Sequence, residues 1–262
     1  MHIIHRWLAL TLLLLAANAA TAASTSNLAR EKNWADQIVD TLIAGEAVAL
    51  SADGTKFLGL YTAPAQPATK GLLFLHGRGV HPAWGFIDTL RVDFADAGWH
   101  TLSIQLPILE NDVKFSEYGK TMPEALHRID AGVRYLRAKG ARRIFLVGHS
   151  TGAITAVAHA AERPASAVAG IVAIGLTTEP GAGPLMQAVP LLERVKKPVL
   201  DIFGADDLPV VLQTADARQA SARRGGNPGY TQERVPGANH FFTDRYDALR
   251  SRITAWLTQA VK

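Results

Sequence analysis

The stretch Ile144-Phe145-Leu146-Val147-Gly148-His149-Ser150-Thr151-Gly152 constrains this chain more than any other. An apolar, strand-prone run leads into Gly-x-Ser-x-Gly, and a helix-forming segment, 153–162, follows at once. Strand, Gly-x-Ser-x-Gly, helix is the context in which the pattern carries chemistry, because the serine then stands on a strained turn at the strand's carboxyl end. Small residues are needed at Gly148 and Gly152 because strand and helix approach closely there. The adjoining helix amino terminus favours negative charge, which suits a developing oxyanion. A tight turn with Ser150 as a helix N-cap is the plainer alternative. The remaining sequence has to supply a base, an acid and a second oxyanion donor for the chemical reading to stand.

The first 22 residues read as a segment outside the fold. Arg6 precedes an apolar run from Trp7 to Ala17, and Ala20-Thr21-Ala22 fits an Ala-x-Ala cleavage site. The run is short for a membrane span, which takes about 20 residues. The expectation is a signal peptide over 1–22, an exported and periplasmic protein without a stable membrane span after cleavage, and one domain over 23–262. The chain has no cysteine, which excludes disulfides, thiolate metal sites and a cysteine nucleophile. Its formal net charge of +4 comes from scattered basic residues, densest over 134–143 at an expected helix end. That distribution argues against a nucleic-acid partner. The histidines are far apart, with no His-Glu-x-x-His spacing, and His76-Gly77-Arg78-Gly79-Val80 lacks the Gly-Lys-Ser/Thr of a phosphate loop. No metal and no cofactor is implied.

Hydrophobic periodicity gives the architecture. Residues 27–44 form a leading helix with Trp34, Ile38 and Leu42 on one face. Two short strands, 46–50 and 57–62, flank an Ala52-Asp53-Gly54 hairpin turn. A continuous apolar run at 71–75 and further strand segments at 99–106, 144–148, 168–174, 199–203 and 230–235 then alternate with helical patterns. Thr121 is read as the N-cap of a helix over 123–139. The fold class is α/β: a doubly wound, mostly parallel sheet opened by an antiparallel hairpin. The segment between the strands ending near Ile174 and starting near Val199 is too short for a large lid domain, while 111–120 is placed to fold over a site.

Ligands bind such sheets at the carboxyl ends of the strands. Gly204-Ala205-Asp206-Asp207 and Pro236-Gly237-Ala238-Asn239-His240 each follow a strand, giving the chain order Ser, Asp, His. A histidine can take the serine proton and return it to the leaving group, and a carboxylate holds its tautomer. Asp206, Asp207 and Glu179 all follow strands. Asp201 lies inside its strand and reads as a structural carboxylate that needs a buried partner.

These motifs resemble the α/β-hydrolase superfamily over nearly all of the chain from the hairpin onward. The resemblance rests on the serine motif, on His76-Gly77-Arg78-Gly79, on Gly204-Ala205-Asp206-Asp207 and on Asn239-His240-Phe241-Phe242. With Gly98-Trp99-His100-Thr101-Leu102-Ser103-Ile104-Gln105-Leu106-Pro107 it is similar to a group of poorly characterised exported bacterial serine hydrolases. The resemblance implies Asp207, three residues after Gly204, as the acid, although some members carry it where Glu179 stands. It also implies main-chain N–H groups of Thr151 and Arg78 as the oxyanion hole. The activity implied is cleavage of an ester or related acyl bond in a small molecule by Ser150, His240 and Asp207. Alternatives are acyl transfer by the same residues and a non-catalytic binding protein on the same scaffold. Arg78, His81 and Trp84 are candidates for contacting substrate at the mouth, while His76 and His149 are read as packing residues.

Overall fold

The structure is a computed structural model that describes residues 23–260, so the expected signal peptide over 1–22 lies outside the described residues. In chain order the main elements are α1 (Leu28–Thr41), β1 (Glu46–Ala52), β2 (Thr55–Thr62), β3 (Lys70–Leu75), α2 (Phe86–Asp96), β4 (His100–Ile104), α3 (Met122–Ala138) and β5 (Arg143–His149). There follow α4 (Thr151–Glu162), β6 (Val168–Ile174), α5 (Ala188–Arg194), β7 (Val199–Asp206), α6 (Pro209–Arg224), β8 (Tyr230–Asn239) and α7 (Tyr246–Ala260). Short 3₁₀ turns occupy Phe115–Thr121, Pro180–Ala182 and Pro184–Met186. Among the described residues no helix is long and apolar enough to cross a membrane.

The eight strands form one sheet in the order β1-β2-β4-β3-β5-β6-β7-β8. β1 and β2 pair antiparallel, β2 meets β4 antiparallel, and every later pairing is parallel. The hairpin turn Asp53-Gly54 has φ of 48° and 82°, the mirror-image turn that matches strand twist. Alternate side chains of one strand serve opposite cores: Ile144 and Leu146 of β5 pack towards α3, α4 and α5, while Phe145 and Val147 pack towards α2 and α7. This double burial is why these strands read as unbroken apolar runs. The order reverses at β3, with β4 on one side and β5 on the other, so a crevice opens beyond their carboxyl ends.

Three sequence expectations change. α1 stops at Thr41, and Leu42 is already extended; the helix buries Glu31 as well as Ile38. Arg128 holds Glu31 at 2.9 Å and Glu124 at 2.6 Å, so a charged network docks α1 on α3. Thr121 stands at the N-cap position of α3, but its side chain makes no capping hydrogen bond. The 3₁₀ turn runs straight into the helix, and the Thr121 hydroxyl donates to the Tyr118 carbonyl at 2.9 Å. β7 and β8 run beyond Phe203 and Val235, to Asp206 and Asn239. Gly204, Pro236 and Gly237 look like strand terminators, but a register shift between Gly204 and Asp206 carries the pairing past them. The buried Asp201 has its partners: Arg218 at 2.7 Å, the Tyr230 hydroxyl at 2.5 Å and Gln232 at 3.0 Å.

Candidate active site

Ser150 links β5 to α4 with φ 54° and ψ −115°, a backbone conformation that costs about 1–3 kcal/mol for a residue with a Cβ. Its surroundings enforce it. The Ser150 N–H donates to the Ile174 carbonyl of β6 at 2.9 Å. A Cβ on Gly148 would sit 2.3 Å from the Gly152 carbonyl oxygen, and one on Gly152 would sit 2.2 Å from that of Leu75. Both glycines are therefore required by backbone contact, and the elbow raises the serine into the crevice. Its side chain makes no N-capping hydrogen bond to α4.

The extension of β7 and β8 brings the next two functional groups together. Asp206 pairs with Asn239 in register, so the residues that follow, Asp207 and His240, emerge side by side. His240 Nδ1 lies 2.6 Å from Asp207 Oδ1, with both side chains buried. Asp207 also accepts main-chain N–H groups from Leu208 at 2.7 Å and Gly204 at 3.2 Å. Burial alone would raise the Asp207 carboxyl. The hydrogen bond and charge of His240, with those two N–H groups, outweigh it and hold the group below its ordinary range. The close approach depends on Gly204, where a Cβ would lie 2.1 Å from the Ala238 carbonyl oxygen.

Asp206 is exposed, and Glu179 accepts the Gly181 N–H at 3.3 Å; neither is hydrogen-bonded to His240. Gly175, just past β6, is a site residue that strand periodicity did not reveal. Its φ is +56°, and a Cβ there would lie 2.9 Å from His240 Cε1 and Nδ1. The imidazole occupies the space this glycine leaves open. Only the isolated glycine after an apolar strand hinted at it.

Thr151 opens α4, where a main-chain N–H lacks an intrahelical partner. Across the crevice, the loop from His76 to Arg78 is anchored through His76. Its Nε2 accepts the Leu106 N–H at 2.9 Å and the Gln105 side-chain amide at 2.9 Å. Nδ1 therefore carries the proton and donates to the Gly77 carbonyl at 2.8 Å. Burial pushes the His76 pKa down to about 3, so this donor pattern persists at neutral pH.

Ser150, His240, Thr151, Gly77 and Arg78 share one cavity of about 420 Å³, walled also by Trp84, Phe115 and Glu179. Phe115 brings the 111–120 segment to the wall, and the Arg78 guanidinium lies 5.1 Å over its ring. No carboxylate pairs with Arg78 among the described residues. Trp84 stands at the mouth, half exposed. His81 does not. It packs edge-on between Trp34 and Trp84, with ring centroids 5.1 and 5.7 Å away, and supports Trp84 from behind.

Comparison with solved structures gives the same architecture. Est1E from Butyrivibrio proteoclasticus superposes with a TM-score of 0.66 at 16% identity, over 82% of this chain and 98% of that one. Dienelactone hydrolase from Anabaena variabilis ATCC 29413 gives 0.66 at 25% identity, over 81% and 96%. The Pyrococcus furiosus esterase Pf2001 gives 0.64 at 16% identity, over 85% and 95%. No curated protein matches the sequence. A family model described as "Protein of unknown function (DUF3530)" matches residues 3–125 and 116–259. The chain thus belongs to that family, and its fold is that of the α/β-hydrolase superfamily.

Proposed function

We propose that the protein is a serine hydrolase that cleaves carboxylic esters, or closely related acyl bonds, of small molecules. The observation that carries this reading is the buried His240–Asp207 pair at 2.6 Å, opening into the same cavity as the strained Ser150. Ser150 Oγ attacks the acyl carbon while His240 takes its proton. Asp207 keeps the Nδ1 proton facing itself and stabilises the imidazolium. The N–H groups of Thr151 and Arg78 bind the oxyanion. His240 then protonates the leaving alcohol, and water, activated by the same imidazole, releases the acid and frees Ser150.

These steps use side chains and main-chain donors of this chain. The likeness of fold to esterases and a dienelactone hydrolase supports hydrolytic chemistry of this kind. The test is labelling by a fluorophosphonate probe, together with turnover of p-nitrophenyl acetate. Wild type should label and turn over, and Ser150→Ala should do neither. A wild-type protein that neither labels nor cleaves any acyl ester would falsify the assignment.

The same reading has the chain exported, with residues 1–22 removed. Ser24 and Thr25 hydrogen-bond Glu124 at 2.9 and 2.7 Å, so cleavage before Ala23 spares the segment docked on α3. Amino-terminal sequencing of protein recovered from a periplasmic fraction should begin at Ala23. An intact Met1 in that fraction would reject the cleavage.

A further inference from the structure

A second chamber of about 320 Å³ adjoins the catalytic cavity and is lined by Trp84, Gly85, Phe86, Ile87, His149 and Phe241. Trp84, His149 and Phe241 are walls of both spaces, so the two lie side by side. No charged side chain lines the chamber. His149 is the one titratable wall, and burial, reinforced by the neighbouring His240, lowers its pKa to about 3, which leaves it neutral. Phe86 packs edge-on to His149 at 4.9 Å, and His149 is tilted against Phe241 at 5.9 Å, so the lining is an aromatic corner. An apolar cavity of about 150 Å³ suffices for benzene, so this one has room for a substituted ring.

Exposure points the same way. Six large apolar side chains are exposed among the described residues, and three of them, Trp84, Leu208 and Phe241, ring the catalytic cavity. Trp84 is 46% exposed and Phe241 57%. Neither is needed at that exposure to close the core, and both regain an apolar partner when a ring enters between them.

The position of His240 decides which half of an ester the chamber holds. During acylation the Ser150 Oγ–acyl carbon bond forms and the ester C–O bond breaks. His240 hands the proton it took from Ser150 to the departing oxygen. The leaving group must therefore lie on the His240 side. That is the side where Phe241 follows His240 in the chain and where the His149 ring stands 4.7 Å from its imidazole. We propose that the chamber between Trp84, Phe86 and Phe241 is a leaving-group subsite for an uncharged aryl or arylalkyl alcohol. This rests on the hydrolase reading above and adds to it the class of alcohol released.

Two isomeric esters test it: benzyl acetate carries the ring on the alcohol, and methyl phenylacetate carries it on the acid. Ethyl acetate serves as the ringless reference. Wild type should show kcat/KM for benzyl acetate at least about tenfold above methyl phenylacetate, the range a hydrophobic pocket discriminates. Trp84→Ala and Phe241→Ala should each lower the ratio of benzyl acetate to ethyl acetate by about tenfold, chiefly through KM. Circular dichroism would verify that both variants are folded, and the ratio within one variant is independent of how much enzyme is active. Equal rates for the two isomers, a preference for methyl phenylacetate, or a ratio that neither substitution moves would overturn the subsite while leaving the hydrolase intact. Failure to cleave all three esters, together with no fluorophosphonate labelling, would instead remove the reading beneath it.

Discussion

The imidazole of His149, the residue before Ser150, donates from Nε2 to the main-chain carbonyl of His240 at 3.0 Å. A carbonyl only accepts, so Nε2 carries the proton, and burial keeps the ring neutral. One end of the nucleophile elbow thus holds the loop that carries the proposed base. On the proposed mechanism His149 positions His240 through this bond, besides walling the chamber beside it. Replacing it by Phe keeps the aromatic packing and removes the donor. A hydrogen bond of this kind is worth about 1 kcal/mol, so kcat should fall about fivefold to tenfold. His149→Gln should recover part of the loss. The midpoint of the kcat–pH profile should stay where it is, because His149 does not titrate near neutrality. A wild-type kcat in His149→Phe would show the bond to be dispensable.

Gly175 gives a sharper test, since its effect is geometric. Gly175→Ala places a methyl group 2.9 Å from the His240 ring and also demands a positive φ of an alanine. The ring must shift, and a displacement of about 1 Å from productive geometry can lower turnover about 100-fold. Thermal unfolding of the variant should move far less than its kcat does. Equal losses in Tm-based stability and activity would mean that Gly175 serves the fold alone.

The identity of the acid follows from comparing neighbours. Asp207→Asn should lower kcat by about 10³–10⁴-fold, because an amide cannot favour the required tautomer or stabilise the imidazolium. Asp206→Asn and Glu179→Gln should each stay within about threefold, since neither is hydrogen-bonded to the imidazole. If Asp206→Asn were the damaging change, the assignment would be reversed.

Asp207 also has a consequence for stability. Its carboxyl is held below its ordinary range in the folded state, so the folded protein binds that proton more weakly than the unfolded chain. The resulting stabilisation is fully present above about pH 4, the ordinary Asp range, and is lost as pH falls through the folded value. Urea denaturation at pH 7 and near pH 3 should therefore show a smaller acid loss in Asp207→Asn than in wild type. An identical acid loss in both would contradict the depressed value.

The pairing of Arg128 with Glu31 and Glu124 makes a separate prediction about the fold. Arg128→Met leaves two carboxylates without their cation, one of them buried, at a cost of about 3–5 kcal/mol. Burial already outweighs the attraction of Arg128 at Glu31 and holds its carboxyl above the ordinary range. Removing Arg128 takes away an attraction that lowers both carboxyls, so both shift upward and the variant's deficit should grow as pH rises from 4 to 7. Tm measurements across that range read it directly, and a deficit that is the same at both ends would reject this account.

The parts of the protein legible in its sequence are those governed by near neighbours in the chain. The alternation of apolar runs and helical patterns announced the doubly wound sheet, because each strand buried on both faces must be apolar throughout. Gly148 and Gly152 announced the elbow through their spacing around Ser150; the steric conflict Gly148 avoids lies within five residues, whereas the one Gly152 avoids is with the Leu75 carbonyl at the end of β3, which only the fold brings there. Asp207 and His240 stood out as chemistry-bearing residues beyond strands. What pairs them is the register of β7 against β8, carried through a bulge past Gly204 and Gly237, and turn-forming residues in both strands concealed it. Gly175, the His149–His240 bond, the Glu31–Arg128–Glu124 network and the retreat of His81 behind Trp84 left no comparable mark. Each depends on segments distant in the chain meeting at contact distance. Periodicity reports which face of an element prefers burial, whereas those contacts are set by how the buried faces of many elements pack at once.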